Sequence, residues 1–321
     1  MRVTYGDPEA VAIGTEDDAV RLVLQKRKSM DPFKGKTAFV TGGASGIGLA
    51  LCRAFARRGM NVAMADVEVA ACAEAVEDLR REGVRAIGMA CDVSDREVLA
   101  EAAARAFSEF GKVHILCNNA GVSRAGLIEG IAASDWDWVI GVNLKGLIHG
   151  LQIFLPHMKA HGEQGHIVNT ASMNGVVGAP LAGPYCATKF ATVGISEVLA
   201  AELEGSPIGV SVLCPSWVKT RMLDNGRNRP ERFGGPILLD LDGSNAERNR
   251  RYAQALESGL DPTYVAQLVC DAIEARRLYI FTHADRSADV ARRFGLMMAG
   301  FQTLAEAPAE QPRHKTVRSE H

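Results

Sequence analysis

Thr37-Ala38-Phe39-Val40-Thr41-Gly42-Gly43-Ala44-Ser45-Gly46-Ile47-Gly48 is the stretch that decides how this chain folds. A short apolar run ends in a glycine-rich turn. Leu49 to Arg58 then places apolar residues at helical spacing until Gly59. Glycines in such a strand–turn–helix unit permit a tight turn and close backbone approach to a pyrophosphate. The first amides of the helix then face the anion. The spacing is G-x-x-x-G-x-G, not the commoner G-x-G-x-x-G of dinucleotide sites. Gly42, Ser45, Gly46, Ile47 and Gly48 are the residues expected to line the phosphates.

Strand–helix alternation continues outward from this unit. Asn61–Ala65 reads as a second strand closed by Asp66, and a helix over about 69–82 stops at Gly83. Further apolar strands are expected at Arg85–Ala90, Val113–Cys117, His166–Thr170, Val210–Leu213 and Leu278–Phe281. Ser94-Asp95-Arg96-Glu97 has the capping-box pattern, and Asp261-Pro262 that of a helix cap followed by proline at the first turn. Apolar strands separated by helices imply a doubly wound, Rossmann-type α/β fold: one seven-stranded parallel sheet with helices on both faces. The expected organisation is an N-terminal extension over 1–34 with little structure, a Rossmann-type domain over 35–285, and a C-terminal helix and tail over 286–321. Residues 220–260 are polar and irregular in pattern, with Arg221, Arg227, Arg229, Arg232, Arg248, Arg250 and Arg251. Such length suits a substrate lid or specificity loop. Helices near 136–159 and 185–204 are apolar on more than one face, which implies a homodimer or homotetramer formed through them.

The bulk numbers narrow the function classes. With 321 residues, 47% hydrophobic and 23% charged, the composition is that of a globular protein. A net charge of −2 gives no general attraction to nucleic acid or anionic membrane. Cys52, Cys72, Cys91, Cys117, Cys186, Cys214 and Cys270 are scattered without a C-x-x-C pair, which fits reduced thiols in a cytoplasmic protein. His157 and His161 are four apart but lack a third ligand, so no metal site is expected. No apolar run of membrane-spanning length and no signal-peptide pattern is read from the sequence.

Asp66 ends the second strand, where a carboxylate accepts hydrogen bonds from ribose hydroxyls and repels a 2′-phosphate. Val67, Ala44 and Ser45 supply no cation to that position, so NAD is favoured over NADP. Tyr185 and Lys189, four residues apart, share one helix face. A free phenol titrates near ~10, and a neighbouring ammonium favours its ionised form. This pair is the candidate for proton exchange with a substrate.

Taken together, these residues resemble the short-chain dehydrogenase/reductase family, in its Tyr-x-x-x-Lys subgroup, over about 36–281. The resemblance adds Asp92-Val93 as an adenine contact and Asn118-Asn119-Ala120-Gly121 as the family's N-N-A-G motif, placing Asn119, Ala120 and Gly121 at the cofactor. It implies a catalytic set of Asn143, Ser172, Tyr185 and Lys189, with Tyr185 as general base or acid. Lys189 would also hold the nicotinamide ribose, and Asn143 a water linking Lys189 to solvent. Pro215, Val218 and Thr220 take the positions of carboxamide contacts. The family's usual Pro-Gly reads Pro215-Ser216 here, which implies a less permissive turn, with Trp217 shaping the pocket mouth. Asp135–Asn143, Ala182–Tyr185, Arg229–Gly234 and Leu278–Ile280 also resemble bacterial Cα-dehydrogenases of lignin-derived aryl ethers. Ser123, Met173, Asn174, Trp217 and Met222 are the expected substrate contacts. The reading is an NAD-dependent dehydrogenase of a lipophilic, aromatic or benzylic secondary alcohol. An NADPH-dependent carbonyl reductase and a catalytically silent cofactor-binding regulator are the alternatives.

Overall fold

A computed structural model describes residues 33–238 and 246–305. The expected extension, apart from its last two residues, and the tail from 306 onward lie outside the described residues. Seven parallel strands form one sheet in the order β3-β2-β1-β4-β5-β6-β7. They are β1 Thr37–Thr41, β2 Asn61–Asp66, β3 Ala86–Ala90, β4 Ile115–Asn118, β5 Gly165–Thr170, β6 Ile208–Cys214 and β7 Tyr279–Phe281. The chain winds outward from β1 to β3, then returns to place β4 beside β1. Val40 is thus flanked by Met64 and Cys117. At this switch point the carboxyl ends of β1 and β4 diverge and leave a crevice.

Every residue of β1, β5 and β6 is buried, as expected of parallel strands covered on both faces. The two-residue period of β1 divides its side chains between two cores. Ala38 and Val40 join Leu51 and Phe55 of α1 (Gly46–Arg57) and Val265 and Val269 of α8 (Pro262–Glu274). Phe39 faces the other way, its ring 4.4 Å from that of Phe154 on α5 (Gly146–His161). Leu99 of α3 (Arg96–Phe110) and Leu199 of α6 (Gly183–Glu202) complete that second core. The remaining helices are α2 (Val69–Arg81), α4 (Ala133–Ile140), α7 (Ala246–Glu257) and α9 (Ser287–Ala305).

Four local expectations change. Asp95, not Ser94, caps α3, accepting from the amides of Glu97 and Val98. Ser94 is drawn away because its amide and hydroxyl both donate to Asp92 Oδ1. Second, α4 and α5 run together through a π-helical turn at Gly141–Lys145. The combined Ala133–His161 run holds an 18-residue window of mean hydropathy 1.3, long and apolar enough by composition to cross a bilayer. Much of that apolarity serves the sheet, where Phe154 and Met158 are fully buried. Third, 220–260 is not irregular throughout. It contains 3₁₀ turns at Met222–Asn228 and Glu231–Phe233 and the helix α7, whose apolar residues are too sparse to reveal it in sequence. Fourth, Ser216 is absent from the residues at positive φ, so its turn does not require glycine.

Candidate active site

The crevice at the β1–β4 switch point is built backbone against backbone. Gly42 has φ +64°, and a Cβ there would lie 2.9 Å from Ala120 Cα. A Cβ on Gly48 would meet the Gly42 carbonyl oxygen at 2.0 Å. Only glycine permits the first turn of α1 to approach the strand end this closely. Ser45 stands at the N-cap of α1 without a side-chain cap, and no acidic residue occupies the first turn. The amides around Gly46–Gly48 therefore face the crevice with no side-chain anion opposing them, which suits a pyrophosphate.

Asn119 fastens the floor of this crevice. Its side-chain amide donates to the carbonyls of Thr41 (3.0 Å) and Gly42 (3.3 Å). The Thr41 hydroxyl donates to the Cys117 carbonyl and accepts from the amides of Asn119 and Ala120. Thr41, which was not singled out from the sequence, thus ties β1 to β4. Asp66 is buried at the end of β2 and accepts from the amides of Ala44 and Glu68, each at 2.9 Å. Each carboxylate oxygen retains acceptor capacity for a ribose hydroxyl. Glycine cradle, unopposed helix terminus and Asp66 together fit a dinucleotide, while Gly121 lies farther along the crevice, beside Asn143 and Lys189.

The proposed proton-transfer residues converge next to it. Lys189 is 3% exposed, and its ammonium donates to the Thr170 carbonyl at 2.7 Å. Burial pulls the Lys189 ammonium down to about 8. Its Nζ lies over the Tyr185 ring, 5.6 Å from the centroid. Tyr185 is only partly covered by surface area, yet its surroundings are dense enough that burial raises its phenol. A Ser172 hydrogen bond pulls it back, and Cys186 and Cys214 add to the rise. The expected lowering of Tyr185 by Lys189 is therefore not found in the protein alone. Lys189 turns its ammonium to a strand-end carbonyl and the ring face, not to the phenol oxygen.

Ser172 accepts from the Asn174 amide at 3.1 Å and opens the 3₁₀ turn Met173–Gly175. Asn143 sits in the π turn, a device that re-aims one side chain within a helix. Its amide accepts from the Val122 N–H and donates to the Val122 carbonyl and to Thr188 Oγ1. Thr188 in turn donates to the Tyr185 carbonyl. Asn143 thus fixes the helical turn that carries both Tyr185 and Lys189. Leu181, just before that helix, holds φ +65°, a strained value for leucine.

The substrate candidates divide. Ser123 donates its amide to Asn225 of the 220–260 segment, and Met222 lies in the 3₁₀ turn beside it. Trp217 is 39% exposed and tilts against Tyr252 of α7 at 5.5 Å. Met173 does not line the crevice. It is buried with Ala171, Val176, Val212 and Cys214. Val93 is likewise buried in the second core, while Asp92 is bound by Ser94 and Arg232. Val67 is exposed. Pro215 accepts from the Met173 amide, Val218 is buried, and Thr220 packs at Gly46.

Five of the seven loop arginines are engaged by carboxylates of the protein itself. Arg227 pairs with Glu68, Arg229 with Asp135 and Arg232 with Asp92, while Arg221 reaches Glu68 and Asp224. Arg251 pairs with Glu247 on α7. No local signal reveals Glu68, Asp92 and Asp135 as partners, because each lies on an element distant in sequence.

The short chain dehydrogenase family model matches residues 36–231. A C alpha-dehydrogenase of Sphingobium sp. strain SYK-6 is 36% identical over 280 residues, 87% of this chain and 90% of that protein. A 1-deoxy-11-beta-hydroxypentalenate dehydrogenase of Streptomyces avermitilis is 34% identical, covering 80% of this chain and 88% of its own. A short-chain dehydrogenase/reductase from Burkholderia phymatum, solved in complex with NAD, superposes with a TM-score of 0.80 at 39% identity. That match covers 84% of this chain and 96% of the other. With the glycine cradle, Asp66 and the Ser172–Tyr185–Lys189 cluster in one crevice, the chain belongs to the short-chain dehydrogenase family and is an NAD(P)-dependent dehydrogenase acting on alcohols.

Proposed function

We propose that this protein uses NAD to interconvert a lipophilic, benzylic-type secondary alcohol and its ketone, with Tyr185 exchanging the proton. The observation that carries the reading is the convergence of Ser172, Tyr185 and the buried Lys189, whose Nζ lies 5.6 Å from the Tyr185 ring centroid. Bound in the crevice, the nicotinamide supplies the hydride acceptor or donor. The cradle of Gly42, Ser45, Gly46, Ile47 and Gly48 holds the pyrophosphate, and Asp66 the adenosine ribose. The Asp66 carboxylate is also the reason for NAD over NADP, in keeping with NAD in the Burkholderia phymatum relative. Asp92, Val93 and Val67 border the adenine. Asn119, Ala120, Gly121, Pro215, Val218 and Thr220 border the nicotinamide half.

Tyr185 accepts the carbinol proton in the oxidation and returns it in the reduction. Ser172 donates to the substrate oxygen and steadies its developing charge. Lys189 holds the ribose. Since the protein alone raises the phenol, ionisation near neutral pH draws on the positive charge of the oxidised cofactor. Asn143 keeps Tyr185 and Lys189 in register, and its turn holds the water that links Lys189 to solvent. Ser123, Asn174, Trp217 and Met222 border the substrate. The apolar character of Val122 and Trp217, and the names of the Sphingobium and Streptomyces relatives, support a lipophilic alcohol.

Residues 35–285 form the dehydrogenase domain, which the helix α9 follows. Two or four copies assemble through the helices over 136–159 and 185–204, where Val198 is 58% exposed on α6. The protein works in the cytoplasm, in keeping with its free cysteines. An NAD⁺ turnover screen over aryl carbinols, hydroxysteroids, aliphatic secondary alcohols and polyols tests the substrate class. Turnover of aryl carbinols is the expected result, and activity on polyols alone would overturn it.

A further inference from the structure

The segment 221–235 is fastened across the crevice by side chains from distant elements. Arg227 makes a bidentate contact with Glu68, Nε to Oε1 at 2.9 Å and Nη2 to Oε2 at 2.8 Å. Their side chains are 19% and 18% exposed, so this is not a loose surface pair. Glu68 stands two residues after Asp66 and donates its amide to Asp66 Oδ1. Five residues further along the segment, Arg232 donates to Asp92 Oδ2 at 2.5 Å and to Ser94 Oγ at 2.7 Å. Glu68 and Asp92 follow β2 and β3, the strands whose ends border the adenosine half of the crevice. At its other side the segment is tied past β4, where Asn225 Oδ1 accepts from the Ser123 amide at 3.0 Å. Buried Arg229 reaches Asp135 of α4 at 3.1 Å and donates to Ser134 at 2.9 Å.

We propose that Arg227 and Glu68 form a latch that holds this segment over the adenosine half of the crevice, so that cofactor exchange requires the pair to open. Arg227 and Glu68 are positioning residues: they control access and touch no reacting atom. The latch differs in kind from the tie at Arg229. Arg229 is anchored in a buried site on the neighbouring helix, whereas Arg227 and Arg232 bridge to the strand ends that flank the cofactor. The 3₁₀ turn Met222–Asn228 also carries Asp224, whose carbonyl accepts from Arg227 at 2.6 Å, so the latch is continuous with the turn it holds. The proposal rests on the reading of this crevice as the dinucleotide site.

The test compares NADH release from the full-length wild type, Arg227→Gln, Glu68→Gln, the double neutral variant and the swapped Glu68→Arg/Arg227→Glu protein. Release is read by stopped-flow NADH fluorescence after displacement with excess NAD⁺. Hydrogen exchange over 221–235 is read in the cofactor-free proteins. The expected result is release about 10-fold faster in either single variant, with no further gain in the double, the mark of a shared interaction. Exchange over 221–235 should rise in the same variants, and the swapped protein should recover slow release. Unchanged release rates, or effects of the two single variants that simply add, would overturn the latch. A wild type that binds no NADH at all would instead overturn the cofactor reading and the latch with it. Should the single variants fold poorly, the swapped protein and the salt dependence of wild-type release decide. Release that does not accelerate with NaCl, together with a swapped protein as fast as the neutral double, also overturns the proposal.

Discussion

The floor and the roof of the crevice are held together in different ways. The floor consists of strand ends and helix turns whose contacts are short-range consequences of register. Lys189 meets the Thr170 carbonyl, Asn143 meets Val122 and Thr188, and Gly48 meets the backbone of Gly42. The roof, 221–235, is held by arginines that cross more than a hundred positions of sequence to reach Glu68 and Asp92. A floor made of buried backbone contacts can place a phenol to within tenths of an ångström. A roof made of partly exposed charge pairs can open. Chemistry and access are thereby assigned to different parts of the molecule.

The sharpest way to break this comparison is at the floor. Tyr185→Phe should lower kcat by about 10²–10⁴-fold while NADH still binds, as fluorescence titration would show. A kcat near that of the wild type would remove Tyr185 from the chemistry. Next in size is Arg229→Leu, which strips the buried Asp135 of the more buried of its two charge partners. Its loss should cost about 3 kcal/mol in urea denaturation, far more than Arg227→Gln does. Equal costs for the two would mean that the roof is uniform and not divided into anchor and latch. Asp135 also lies 3.3 Å from Arg124, and Arg124→Leu tests how much of the charge that residue compensates.

A third test uses the pH dependence of the floor itself. The ordinary lysine value is 10.5, and the buried Lys189 is drawn down to about 8. A lowered lysine disfavours folding wherever the unfolded chain binds the extra proton. The penalty is therefore full below about pH 8 and fades as pH rises toward 10.5. The difference in Tm between Lys189→Met and wild type should thus be most positive near pH 7. It should fall as pH rises above 10, by the equivalent of at most about 3 kcal/mol in unfolding free energy. The lost hydrogen bond to Thr170 lowers the whole curve without changing that slope. A difference that grows with pH would show that Lys189 is not buried as a charge. The smallest effect belongs to the roof: NADH release from the wild type should quicken by less than about 10-fold between low and high salt, and hardly at all in Arg227→Gln.

The fold was legible because its signal is periodic. The apolar runs of β1, β5 and β6, the helices between them and the glycine turn before α1 can be read along the chain. The floor was legible for a related reason: Tyr185 and Lys189 lie one helical turn apart, and Ser172 follows a strand end. Misreadings occurred where a side chain had a choice of partners. Ser94 offered a capping box, but Asp92 claimed its hydroxyl. Met173 looked like a pocket residue beside Ser172, but its turn directs it into the core. The polar pattern of 220–260 also hid its anchors: Arg227, Arg229 and Arg232 are taken up by Glu68, Asp135 and Asp92.

The sequence by itself determined the strand–helix alternation, the glycine cradle, the acidic end of β2 and the tyrosine–lysine spacing. Each of these is a local pattern, fixed by the two periodicities of the backbone and by what glycine alone can do. Tertiary structure alone decided that Lys189 turns toward Thr170 and away from the phenol oxygen, so that the protein by itself raises the Tyr185 phenol. It alone decided which carboxylates the loop arginines meet. Charge pairing has no sequence period: a guanidinium takes the carboxylate that the folded chain brings within reach, and only the complete sheet places Glu68 and Asp92 beneath that loop.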